Sequence, residues 1–63
     1  MAAGREIIFE FLHIGTSVKV TAIDAVTGLE VVIVGDPAAG KAALKRLARQ
    51  KLDYVLAKAA PDR

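Results

Sequence analysis

The stretch "EIIFEFLHIGTSVKVTAIDAVTGLEVVIVG", Glu6 to Gly35, constrains the fold more than any other part of this chain. It holds three runs rich in β-branched and aromatic residues, broken by "GTS" and "DAVTG". Such runs read as strands, and the Gly, Asp, Ser and Thr between them read as turns. Strands joined by connections this short pair antiparallel, because a parallel crossover needs a dozen or more residues. The expected strands span residues 6–14, 17–25 and 29–35. Alternation places Ile7, Phe9, Phe11 and His13 on one face of the first strand, and Ile8, Glu10, Leu12 and Ile14 on the other. In the second strand Val18, Val20 and Ala22 oppose Lys19, Thr21 and Ile23.

After Gly35 the period changes. Asp36 is a preferred N-cap, and Pro37 suits a first helical position because its missing N–H is not needed there. Leu44, Leu47, Ala48, Leu52, Val55 and Leu56 then recur at spacings of three and four, and Pro61 is the expected stop. A helix over residues 37–59 follows. The expected architecture is α+β: a three-stranded antiparallel β-meander and one C-terminal α-helix packed on one sheet face, β-β-β-α, in a single domain spanning 1–63. The leucines of the helix should meet Phe9, Phe11, Val18 and Val20.

One helix covers one sheet face only. Ile8, Leu12 and Ile23, with Val32 and Val34 of the third strand, are left on the other, and a meander leaves "EVVIV" on an edge. A chain of 63 residues buries only about 60% of the surface its unfolded form exposes, and 54% of its residues are hydrophobic. Cysteine is absent, which excludes disulfides and thiolate metal sites, and the one histidine excludes a multi-histidine site within one chain. No metal and no cofactor are therefore expected, and partner chains are the stabilising device that remains. The expectation is a homodimer or a dimer of dimers, formed by sheet edges or by sheet faces, with Ile8, Leu12, Ile23, Val32 and Val34 as the candidate interface.

No run approaches the ~20 apolar residues of a membrane span. "MAAGREIIFEF" lacks the basic region, unbroken apolar core and cleavage site of a signal peptide, so a cytoplasmic protein is expected.

Catalytic chemistry finds no foothold. "GDPAAGKA", Gly35 to Ala42, approaches the G-x-x-x-x-G-K-[ST] phosphate loop, but Ala42 stands where that loop needs the hydroxyl that holds Mg²⁺. A helix expected to start before Gly40 also puts Gly40 and Lys41 inside its first turns. His13 beside a turn, with Ser17 the nearest hydroxyl, forms no triad. Tyr54 reads as a packing residue with a wet hydroxyl, and Asp24 and Asp36 as turn and cap residues. The chain reads as a non-enzyme.

Charge is the remaining signal. The net charge is +2, but Lys41, Lys45, Arg46, Arg49, Lys51 and Lys58 face only Asp53 over the helix, whereas Glu6, Glu10, Asp24, Glu30 and Asp36 outnumber Arg5 and Lys19 before it. Lys41, Lys45 and Arg49 lie in one row, and Arg46 and Lys58 extend it. These five are the candidate phosphate or nucleic-acid contacts, on a helix face without aromatic residues. An acidic protein is the other partner that such a face suits. A membrane partner is not expected, because the apolar stripe is needed to close the core.

The hairpin "VKVTAIDAVTGLEVVIVG" and the helix "LKRLARQKLDYVL" resemble a family of short uncharacterised alphaproteobacterial proteins over residues 5–58. The resemblance implies a small bacterial protein of unknown function and carries no active-site residues. Two function classes follow: a homo-oligomeric interaction module, or a nucleic-acid-binding protein using the basic helix face.

Overall fold

The chain turns back on itself twice before it reaches its helix. A computed structural model describes residues 6–59. Its elements are β1 (Ile7–Ile14), β2 (Ser17–Asp24), β3 (Glu30–Gly35), a 3-10 turn (Pro37–Ala39) and α1 (Lys41–Ala59). The three strands form one antiparallel sheet in the order β1-β2-β3, so the expected β-β-β-α fold is the one observed. The helix stop expected at Pro61 lies outside the described residues.

Register decides which face each side chain takes. Across the sheet, Phe9–Ala22–Val31, Phe11–Val20–Ile33 and His13–Val18–Gly35 stand in rows on the inner face. Helix α1 lays Leu44, Ala48 and Leu52 over these rows. Spacing by four keeps the three in one line along the helix. The buried apolar core is Val18, Val20, Ala22, Val31, Leu44, Ala48 and Leu52, with Ile7, Phe9, Phe11, Leu29, Ile33, Val55 and Leu56 packed at its rim. Fully burying a Val or Leu contributes roughly 1.5–3 kcal/mol. A core this small, with two alanines in it, is thin. Gly35 lets the helix approach: a Cβ there would stand 2.5 Å from Leu44 Cδ2.

Three details differ from the sequence expectation. Asp36 caps the 3-10 turn, its Oδ1 accepting from the Ala38 N–H at 2.9 Å, rather than capping the long helix. Gly40 then breaks the run with φ +88° and ψ 153°, a region open to little but glycine. Its carbonyl accepts the first bond of α1, from the Leu44 N–H, so Gly40 precedes the helix and does not lie within it. Leu47 leaves the buried stripe and is 51% exposed, because it sits about 100° around α1 from Ala48, off the 44-48-52 line. Asp24 is fully buried in the β2–β3 turn, where Oδ2 accepts from the Thr27 hydroxyl at 2.8 Å and the Thr27 N–H at 3.2 Å.

Candidate interaction surfaces

The outer face of the sheet carries Ile8–Ile23–Glu30, Glu10–Thr21–Val32, Leu12–Lys19–Val34 and Ile14–Ser17 as its rows. Within the described chain nothing packs over it. Ile8 is 45% exposed, Leu12 55%, Ile14 54%, Val32 38% and Val34 68%, and Ile23 is half-buried. All five expected interface residues therefore share one contiguous surface, which Ile14 extends. Glu10, Glu30 and Lys19 place charges of both signs within it.

The β3 edge of the same sheet is guarded. The Asp24 N–H donates to the Leu29 carbonyl at 2.8 Å, which fixes the alternation along β3. Leu29, Val31 and Ile33 turn their backbone groups to β2, and Glu30, Val32 and Val34 turn theirs to the open side. There the Lys51 ammonium donates to the Val32 carbonyl at 2.8 Å. A lysine at an exposed strand edge is a common device against strand addition.

The basic residues divide into two groups. Lys41 Nζ stands 5.3 Å from the Phe11 ring centroid and Lys45 Nζ 5.2 Å from that of Phe9. Helix α1 thus runs antiparallel to β1. Phe9, Ala42, Lys45, Arg46 and Arg49 line a shallow open groove of about 470 Å³ between the two elements. The expectation that aromatic residues are missing here holds for the helix alone, since β1 supplies Phe9 and Phe11. Lys58 stands apart, roughly 140° around the helix from Lys45, with Nζ 5.5 Å from the ring centroid of Tyr54. Tyr54 itself is 63% exposed, more than a packing residue would be. Arg49 Nε lies 3.9 Å from Asp53 Oδ2, and both side chains are well exposed.

The loop that resembles a phosphate cradle has its donors engaged. Pro37 has no N–H, Ala38 donates to Asp36 Oδ1, Ala39 to the Asp36 carbonyl and Gly40 to the Pro37 carbonyl. Lys41 reaches away to Phe11. The strand–loop–helix order is closer to that of a phosphate loop than the sequence suggested, but the loop amides of Ala38, Ala39 and Gly40 are already used. His13 and Ser17 cannot pair, because His13 shares the inner-face row of Val18 and Ser17 the outer-face row of Ile14. Among the described residues no group of three or more His, Asp or Glu is placed to hold a metal ion, and no helix is long and apolar enough to cross a membrane.

A family model described as a domain of unknown function (DUF6898) matches residues 4–59. No curated protein and no solved structure matches the chain.

Proposed function

Because the chain belongs to the DUF6898 family, a domain of unknown function, we propose a role from its own surfaces: a non-catalytic interaction module that pairs with a second copy of itself through the outer face of the sheet. A cytoplasmic bacterial setting belongs to the same proposal, supported by the resemblance over residues 5–58. The observation that carries the proposal is the outer face, where Ile8, Leu12, Ile14, Ile23, Val32 and Val34 lie side by side and largely open to solvent.

Face pairing is favoured over pairing at the β3 edge by Lys51, which occupies a carbonyl there that an added strand would need. Two sheets packed face to face stand about 10 Å apart with their side chains interdigitated. The mixed charges suit a second copy, because a two-fold stack can bring Lys19 of each chain toward a glutamate of the other. A copy carrying only one sign of charge on this face would repel itself.

The face measures roughly 26 by 14 Å from strand rise and spacing. With side-chain relief, such a pair buries about 1,000 Å² in total, at the low end for a specific interface. The dimer is therefore expected to dissociate on dilution, and two dimers can associate further. Sedimentation of a Leu12→Glu/Val34→Glu variant tests the reading. Both side chains are exposed in the single chain, so the fold should survive, with unchanged circular dichroism, while the mass falls to that of one chain. A variant that keeps the mass of the native assembly would contradict face pairing.

A further inference from the structure

The flank of α1 that faces β1 combines a row of cations with aromatic rings. Lys41, Lys45 and Arg49 follow one another every four residues, which sets them about 6 Å apart along the helix. That step is of the same order as the separation of successive phosphates along an extended nucleic-acid strand. Arg46 joins them at the groove beside Phe9. Acids are scarce here: Asp53 is the only acidic residue of α1, and it stands 3.9 Å from Arg49 on an exposed surface, where water screens the pair. Glu10 of β1 lies on the opposite, outer face of the sheet.

We propose that this groove, with the adjoining Lys41–Phe11 pair, binds single-stranded nucleic acid, with phosphates on Lys41, Lys45, Arg46 and Arg49 and bases on Phe9 and Phe11. Each of the two rings carries a lysine ammonium, at 5.2 and 5.3 Å. An exposed cation–π contact is weaker than the stacking of a base on an aromatic ring. An incoming strand thus offers an exchange. The lysine leaves the ring for a phosphate, and a base takes its place on the ring. Both partners of the old contact gain a stronger one.

Duplex fits less well. Paired bases stay stacked on one another, so a duplex leaves the phenylalanines unused. An acidic peptide could satisfy the cations but would leave the rings unused. The proposal does not depend on self-association, because the groove and the outer sheet face lie on opposite sides of the sheet.

The test is fluorescence anisotropy of the full chain with labelled single-stranded DNA and RNA ten-mers, and with a duplex of the same length, at about 50 and 200 mM salt. Expected is binding of single strands over duplex, with a log–log salt slope of about −2 to −3 for three or four phosphates. Lys45→Glu with Arg49→Glu, both at exposed positions, should lower affinity at least tenfold without changing the circular dichroism. Phe9→Leu keeps an apolar filler and should weaken binding several-fold while leaving the salt slope unchanged. Absence of single-strand binding at the lower salt overturns the proposal. So does equal affinity for duplex, or indifference to Phe9→Leu in a variant that still melts cooperatively, since either result describes a plain charged surface.

Discussion

Lys51 on α1 donates a 2.8 Å hydrogen bond to the carbonyl of Val32, nineteen residues earlier, across the open edge of β3. The bond closes part of a strand edge that would otherwise offer a template to other chains. Lys51→Ala should cost little stability, within about 1 kcal/mol, because the bond is exposed to water. It should instead speed light-scattering growth in concentrated solution. Unchanged scattering would mean that the edge is protected by other means.

The approach of Gly35 to Leu44 sets the height of the helix above the sheet. An alanine at 35 places its Cβ 2.5 Å from Leu44 Cδ2, and Leu44 is 2% exposed, so the leucine has little room to move. Gly35→Ala should destabilise by about 1–3 kcal/mol. In a domain this small each kcal/mol lowers the melting temperature by roughly 4–8 °C. Adding Leu44→Val, which removes the clashing methyl, should cost less than the two single changes summed. Strict additivity in thermal melts would refute the contact.

Asp24 ties the β2–β3 turn from inside. Its carboxylate holds both the hydroxyl and the N–H of Thr27, and the Thr27 hydroxyl oxygen accepts from the Leu29 N–H at 3.1 Å. Asp24→Ala removes the acceptor from a buried position and should cost about 1–3 kcal/mol in urea unfolding. Thr27→Val breaks the same chain one link further out and should cost less. A larger loss for Thr27→Val would place the weight of the turn elsewhere.

Gly40 separates the 3-10 turn from α1. With φ +88° and ψ 153°, and nothing within 4 Å of a Cβ built there, the position has space but not the backbone freedom for a side chain. Gly40→Ala should lower stability by about 1–3 kcal/mol from conformation alone. A neutral result in the same urea titration would show that the break relaxes without strain.

The order of elements and their faces were legible because two periods were written cleanly into the chain. The alternation in "VKVTAID" and the four-residue spacing of Leu44, Ala48 and Leu52 each name a buried side without reference to anything distant. The start of α1 was not legible, since Asp36 and Pro37 are good helix openers and nothing local says that Gly40 ends their turn after three residues. Leu47 keeps the three-and-four spacing, but it lies about 100° around α1 from Ala48 and so falls off the buried line. The outer-face residues were readable from alternation. The groove was not, because the antiparallel course of α1 beside β1, which sets Lys41 on Phe11 and Lys45 on Phe9, is a tertiary fact. The bond of Lys51 to Val32 has the same origin.

Self-association through the outer sheet face can be read from methyl NOEs in a mixture of isotope-labelled and unlabelled chains. Intermolecular contacts are expected among Ile8, Leu12, Ile14, Ile23, Val32 and Val34, and none to Leu44 or Leu52. Intermolecular contacts confined to the helix, or none at concentrations where sedimentation detects a dimer, would contradict it.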